Sequence, residues 1–581
     1  MASHLLRRLA AGLCSSLALT LAVQAAEAVP TPQQQDAIQR QQDLFLQQER
    51  LRREDLLKRQ DPSRQMPGQV TVTPVPQPAP DARPSQCFDI QQIQLQGAVH
   101  LALPDRERLL KPFLGNCLGL ADIRELMRLL TNHYVEQGYV TTRIYIPQQD
   151  MSKGSLSLLV VEGTVGQIKL DGDGTRINPG MVFPGLAGEV LNIRDIEQGL
   201  DQINRLGSNN ATMTLMPGDD PGITNILVSN QPRAPWYAGL TWDNYGSPST
   251  GDKRVTLNVG LDAPLGLQEA WFASFSRNTD AFRDRRLSES AMLSLNVPYG
   301  YWNFNGTASR SQYVSQVKTA AQTFVSSGNT NTYSLGVQRV LQRGQTNKTT
   351  LNTSLNHKIS KNFIEGSLLE TGSPRLTDLS LSLTSVFMAL NGSWTTDVGV
   401  AQGLKWFGVE SLPGAGTGTV PTSTGTRYFA SASYGTGWRV GERAINWSSS
   451  LQAQYSNHYL YGSEQMSVGG LFTVRGFDGT SLSGDRGMYW RNEFSTVLDA
   501  PALERVVGRL QAYVAADVGR IVGREGQRDG NLGGIALGLR AGGSAMTLDV
   551  AVATPFHTSR WVRQLYDVDK PALYLKVGFA L

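Results

Sequence analysis

The sequence predicts a membrane β-barrel of sixteen antiparallel strands, preceded by two small α/β units and an N-terminal helix. Three observations lead there. No window of the 581 residues approaches the ~20 consecutive apolar residues of a membrane-spanning helix, which excludes a helical membrane protein and leaves a strand-built one. From Trp236 to Leu581 the helical period disappears and alternation of apolar and polar residues takes over. Glycine, at 59 residues, exceeds the usual ~7 %, while apolar residues reach only 40 % against ~45–50 %. That balance suits strands with one apolar face joined by tight turns. A net charge of +4, from 53 basic and 49 acidic residues, argues against a nucleic-acid partner bound through bulk charge.

Residues 1–28 read as a secretory signal: Arg7 and Arg8 precede an apolar run from Leu9 to Val23, and small residues permit cleavage after Ala25 or Ala28. Leu13 stands before Cys14 where a lipoprotein signal wants a small residue, so lipidation is not expected. Cys87 and Cys117 are then the cysteines of the exported chain, and an oxidising compartment favours a disulfide between them as a structural staple. A redox pair would need close spacing and an activated thiol.

Residues 29–61 are rich in Gln, Arg and Glu, with Leu44, Leu46, Leu51, Leu56 and Leu57 interspersed. A helix this polar all round is either weakly held or seated in a wet cavity. Residues 62–85 carry Pro67, Pro74, Pro76, Pro78 and Pro80 and read as an extended, semi-rigid linker. Together they form a detachable element on a tether.

Residues 86–163 and 164–232 repeat one pattern. Ile93-Gln-Leu95-Gln-Gly97 returns as Ile168-Lys-Leu170-Asp-Gly172, each followed by a helix and two strands. In the first copy Ile123, Leu126, Leu130 and Tyr134 mark a helix over Ala121 to Gln137, with strands at Tyr139 to Ile146 and Ser155 to Val161. In the second, Asn192 is a candidate N-cap and Ile196, Leu200 and Ile203 form the stripe, with strands near Thr212 to Met216 and Thr224 to Ser229.

Residues 233–581 form the barrel. In the last strand Leu573, Leu575, Val577, Phe579 and Leu581 share one face, opposed by Tyr574, Lys576, Gly578 and Ala580. Candidate strands begin near Trp236, Arg254, Gln268, Ser288, Tyr301, Thr332, Asn347, Arg375, Asn391, Arg427, Ala444, Gly487, Arg509, Gly533, Ala545 and Ala572. The even count, at about 22 residues per strand and connection, fits spanning strands joined alternately by short periplasmic turns and longer outer loops.

One stretch is specific. Ser467-Val-Gly-Gly-Leu-Phe-Thr-Val474-Arg475-Gly476-Phe477-Asp478-Gly479 leads to Ser483-Gly484-Asp485-Arg486-Gly487, and resembles the loop motif of the two-partner secretion transporters (TpsB family, haemolysin-activator and filamentous-haemagglutinin transporter type) within the barrel-assembly-factor superfamily. Gly138-Tyr139-Val140-Thr141-Thr142, Val161-Glu162-Gly163, Asp243-Asn244-Tyr245-Gly246 and Ala516-Asp517-Val518-Gly519 resemble the same family in the same order. The resemblance implies that the tandem units are two periplasmic POTRA (polypeptide-transport-associated) domains, that the N-terminal helix is a pore plug, and that residues 471–486 fold back into the barrel.

The residues support the same positions. On the thirteenth strand Leu510, Ala512, Val514, Ala516 and Val518 take the lipid-facing parity, so Asp517 faces the lumen. An unpaired carboxylate there is costly, and the planar fork of Arg475 on an infolded loop is a fitting partner, as in the family's corresponding pair. Glu493, Tyr489 and Arg491 share the inward parity and are candidates for a wider lumen network.

The resemblance implies an outer-membrane transporter that exports a specific large exoprotein (adhesin, haemolysin or contact-dependent toxin type), captured unfolded through its N-terminal secretion domain. Its other partners would be outer-membrane lipid and, during biogenesis, the barrel-assembly machinery. No phosphate-binding loop or H-E-x-x-H motif is present and the six histidines are scattered, so neither a cofactor nor enzyme chemistry is expected. A general outer-membrane protein assembly factor shares the loop motif, and a passive porin would leave residues 87–231 without a purpose. Leu581 stands where outer-membrane strands often end on an aromatic.

Overall fold

The computed structural model describes residues 32–68, 87–172, 176–279, 286–318, 323–417, 419–524, 528–543, 545–566, 568 and 570–580. The expected signal peptide (1–28), residues 69–85 of the expected linker and Leu581 lie outside them.

Sixteen antiparallel strands, from Trp236–Asp243 to Ala572–Ala580, close into a barrel. The last strand pairs with the first, Lys576 opposite Asp243 and Ala580 opposite Gly239. Alternation determines which face each side chain takes. Leu379, Leu381 and Leu383 on the eighth strand (Arg375–Ala389) and Ile535, Leu537 and Leu539 on the fourteenth (Gly530–Gly542) are exposed on the outside, whereas Thr384 and Ala536, of the opposite parity, are buried within. An exposed apolar belt of this extent is stable against lipid and not against water.

The fifth (Trp302–Lys318), sixth (Thr323–Arg343) and seventh (Asn347–Ile364) strands exceed the ~9–11 residues that cross a bilayer. The sixth starts well before the expected Thr332. Its first part, Thr323 to Asn331, has no apolar outer face to read in the sequence, and it is held by pairing with the fifth strand, Lys318 opposite Thr323 through Arg310 opposite Asn331.

In the first α/β unit, Gln92–Gln96 runs parallel to Ser155–Val161, which is flanked by antiparallel Arg143–Tyr145. The helix Leu120–Glu136 buries Ile123, Leu126, Leu130 and Tyr134 against this sheet. A helix, Leu103–Leu110, and a strand pair, Phe88–Ile90 with Asn116–Leu118, were not foreseen, because three-residue strands carry no readable period. The Cys87–Cys117 disulfide staples that pair. In the second unit Thr164–Asp171 lies parallel to Ile223–Asn230, with Ala211–Pro217 antiparallel to it. Its helix, Ile193–Asn204, is capped by Asn192, whose side chain accepts the Arg194 N–H.

The segments Gly138–Thr142 and Val161–Gly163 join the two units. The Ile193 N–H donates to the Gly138 carbonyl and the Leu191 N–H to the Gly163 carbonyl, while Val140 packs against the second core. A Cβ at Gly163 would lie 2.3 Å from Thr141 Oγ1, so only glycine permits this approach. Beside it, Glu162 accepts from the His100 backbone N–H (2.8 Å), the His100 ring (2.7 Å) and the Tyr134 hydroxyl (2.8 Å). Burial works to raise its pKa, but these hydrogen bonds outweigh it and hold the carboxyl below the ordinary glutamate range.

The helix Ile193–Asn204 also docks on the periplasmic rim of the barrel. Gln198 and Gln202 donate to the Gly300 carbonyl in the turn after the fourth strand (Leu287–Tyr299), and Tyr301 donates to Asp195 at 2.6 Å. Arg343, buried at the end of the sixth strand, reaches Asp201 at 2.5 Å.

Candidate functional site

Two elements occupy the lumen. The first is the helix Pro32–Gln60, whose polar surface suits a wet cavity better than an apolar one. Near its outer end Gln42 donates to Ser326 on the sixth strand, and Phe45, among the few apolar groups it buries, meets the Tyr313 ring at 4.8 Å between centroids. Midway, Arg52 pairs with Asp243 (3.2 Å) and Arg53 donates to Ser309 and Thr332. At the periplasmic end the chain turns through Pro62–Arg64, with Lys348 donating to the Pro62 carbonyl and Arg64 facing Asp397 at 3.4 Å. The helix therefore runs the length of the pore. The residues immediately after it are also seated: Ser63 is buried, and the extended linker does not begin at residue 62.

The second element is the connection between the eleventh (Arg443–Tyr455) and twelfth (Arg486–Val497) strands. It folds inward over more than residues 471–486. Gln47 and Arg50 of the helix donate to the carbonyls of Gly462, Ser463 and Gln465, and Glu464 pairs with Lys358 and Arg427 from the wall. A short hairpin, Met466–Val468 with Leu482–Gly484, supports the tip, and Val468, Val474, Phe477 and Leu482 join Tyr489, Ile521 and Leu532 in an apolar cluster.

At the tip, Arg475 is buried against the wall. Its Nε donates to Asp517 Oδ2 at 2.6 Å, its Nη2 to Asp517 Oδ1 at 2.8 Å, and its backbone N–H to Oδ2 at 3.1 Å. Its Nη1 donates to Glu493 at 2.8 Å, and Glu493 accepts two further bonds from Arg540, at 2.5 and 3.1 Å. Arg540 in turn donates to Asp549, which also accepts from the Tyr513 hydroxyl. The chain of alternating charges ties the loop tip to the twelfth, thirteenth (Arg509–Val522), fourteenth and fifteenth (Met546–Thr558) strands. Charges removed from water are stable only when paired and hydrogen-bonded in this way.

Backbone geometry brings the tip this close. Gly476 adopts φ +98°, and a Cβ there would stand 2.8 Å from the Thr554 carbonyl carbon. A Cβ at Gly534 on the wall would lie 1.9 Å from the Arg475 carbonyl oxygen, and the strand is bulged at Gly533 and Gly534.

Of the residues singled out in the sequence, Val474, Arg475, Gly476, Phe477, Asp517 and Glu493 lie together. Arg491 stands at the edge of the set, 3.8 Å from Asp517 and donating to the Phe472 carbonyl. Tyr489 packs in the apolar cluster with Val474 and Phe477, and its hydroxyl donates to Gln452 outside the charge network. Arg540 and Asp549 were missed, although both are inward by alternation; so were Glu464 and the helix residues it accompanies. Asn244, quoted in the motif that opens the barrel, bridges the closing seam: its side chain donates to the Leu573 carbonyl and accepts the Leu575 N–H, both at 2.7 Å.

A family model described as haemolysin secretion/activation protein ShlB/FhaC/HecB matches residues 222–541, and models for an ShlB-type POTRA domain and a POTRA domain match 88–163 and 164–217. The outer membrane transporter CdiB of Escherichia coli is 33 % identical over 494 residues, 85 % of this chain and 81 % of that protein. The hemolysin transporter protein ShlB of Serratia marcescens is 32 % identical over 452 residues, 77 % of this chain and 79 % of its own. The solved structure of CdiB from Escherichia coli superposes with a TM-score of 0.82 at 31 % identity, covering 96 % of this chain and 100 % of that one.

Proposed function

Because the chain belongs to the haemolysin secretion/activation family of outer-membrane two-partner secretion transporters, we propose that it recognises and exports one specific large exoprotein. The protein is a transporter rather than an enzyme, and its two POTRA domains lie in the periplasm. The exoprotein is of adhesin, haemolysin or contact-dependent toxin type, captured unfolded through an N-terminal secretion domain. The strand Gln92–Gln96 stands at the edge of its sheet beside a groove of about 570 Å³ lined by Leu95, Arg106, Leu110 and Leu114, where an extended client can add main-chain hydrogen bonds.

The observation that carries this reading is a lumen filled by two elements held through polar contacts, one of them a helix that no strand of the wall encloses covalently. A passive diffusion pore has no use for such a stopper, whereas a channel for an unfolded chain must stay shut until its client arrives. Withdrawal of the helix and movement of the Arg475 loop open the path, and folding of the client outside supplies the drive. The barrel itself reaches the lipid with help from the barrel-assembly machinery. Deleting the gene and comparing secreted and outer-membrane proteins tests the reading: one exoprotein should vanish from the medium, and a broad fall in outer-membrane proteins would instead mark an assembly factor.

A further inference from the structure

Asp201 belongs to the second POTRA domain, Arg343 to the barrel and Gly68 to the segment leaving the pore, and all three meet at the periplasmic mouth. Arg343 Nη1 donates to Asp201 Oδ2 at 2.5 Å, and its Nη2 donates to the Gly68 carbonyl at 3.2 Å. The Gly68 N–H donates to Asp201 Oδ1 at 3.1 Å. One carboxylate and one guanidinium thus hold both ends of the Gly68 peptide environment while also holding the POTRA helix on the barrel. The site is dry on the arginine side: the Arg343 side chain is 1 % exposed, with Glu197 3.7 Å from its Nε and Gln198 accepting from Nη1. A charge so buried resists losing Asp201, because Glu197 at 3.7 Å compensates it only in part. A Cβ at Gly68 would stand 2.8 Å from Asp201 Oδ1, so a side chain there displaces the carboxylate from the Gly68 N–H.

We propose that Asp201, Arg343 and Gly68 form a latch that retains the plug helix, and that movement of the second POTRA domain away from the barrel rim releases it. The two events are linked because Asp201 serves both contacts. A shift of the helix Ile193–Asn204 that parts Asp201 from Arg343 also removes the acceptor of the Gly68 N–H. The linkage gives the periplasmic domain control over a helix it otherwise touches little, and its effect is bounded by how differently the seated and released segments bind the latch. This inference rests on the reading of Pro32–Gln60 as the pore plug.

The test uses purified full-length protein in planar lipid bilayers, scoring the fraction of channels that are open. Gly68→Ala pushes on the Asp201 carboxylate from the plug side and should raise the open fraction about tenfold, as should Asp201→Asn. Gln202→Ala removes one of the two docking hydrogen bonds to Gly300 and leaves Gly68 alone, so it loosens the domain without breaking the latch and should raise the open fraction less than Asp201→Asn does. Deletion of residues 32–60 is the reference for full opening; if it opens nothing, the plug reading fails. If that deletion opens the channel while Gly68→Ala and Asp201→Asn stay closed, or if Gln202→Ala opens it as much as Asp201→Asn does, the latch is refuted. Heat-modifiable gel mobility shows that each variant retains a folded barrel.

Discussion

Asp517 accepts three hydrogen bonds from the single residue Arg475, two from its guanidinium and one from its backbone N–H. The carboxylate therefore fixes the loop's main chain as well as its charge. Arg475→Ala would leave the buried Asp517 without its hydrogen-bonded guanidinium, a loss of about 3–5 kcal/mol for a broken buried pair, while Glu493 keeps Arg540. Secretion of the client should fall to background while the barrel remains inserted, read by immunoblot of medium and outer-membrane fractions. Arg475→Lys should fare little better, because an ammonium cannot supply the two-pronged contact to Asp517 together with a third bond to Glu493.

Gly534 carries no charge, yet its replacement should match that defect. A Cβ at this position would occupy the space of the Arg475 carbonyl, so Gly534→Val pushes the tip off the wall even with every charged residue retained. Normal secretion by Gly534→Val would show that the seat of the loop tolerates displacement.

At the seam, Asn244→Ala removes two hydrogen bonds that join the first strand's outer end to the last strand. At ~1 kcal/mol each, their loss should lower the temperature at which the barrel loses its folded gel mobility by a few degrees, with the rest of the wall intact.

In the periplasmic domains, Glu162 supplies a pH dependence with a definite sign. Its pKa is held below the ordinary value near 4.5, so the folded state gains stability above that value and loses it as pH falls through the depressed folded value. Limited proteolysis of the full-length protein should detect loosening of residues 87–232 as pH drops below about 4.5, and Glu162→Gln should remove much of that dependence.

Reduction offers a separate handle on the first POTRA domain. The Cys87–Cys117 bond closes a loop with a sequence separation of 30, for which the chain-entropy model gives about 3–4 kcal/mol. Cys87→Ser should make this domain the first segment cut by protease while the barrel keeps its gel mobility.

Strand number and facing were legible in the sequence because lipid on one side and water on the other impose a period of two on every crossing. That period placed Asp517, Glu493 and Arg540 inside alike. It could not say which of them meet, since the barrel's register and the path of the infolded loop decide that, and Arg540 was overlooked for this reason. The extra helix and strand pair of the first POTRA domain were hidden by their shortness. Asp201 and Arg343 gave no signal at all: each is an ordinary charge on its own element, and only docking brings them together.

The helix in the pore has one further consequence, of threading. Its N-terminal end lies toward the outer mouth, near Ser326, and its C-terminal end leaves at the periplasmic mouth, beside Lys348. The arrangement is an axle through a closed ring, its periplasmic end continuing in sequence toward the first POTRA domain. Such an axle slides out toward the periplasm with no covalent bond broken, but only if nothing wider than the bore is fixed to its trailing, outer end. A compact domain fused ahead of Pro32 would either keep the axle from entering or, once it had folded outside, act as a stopper that traps the ring in its closed state.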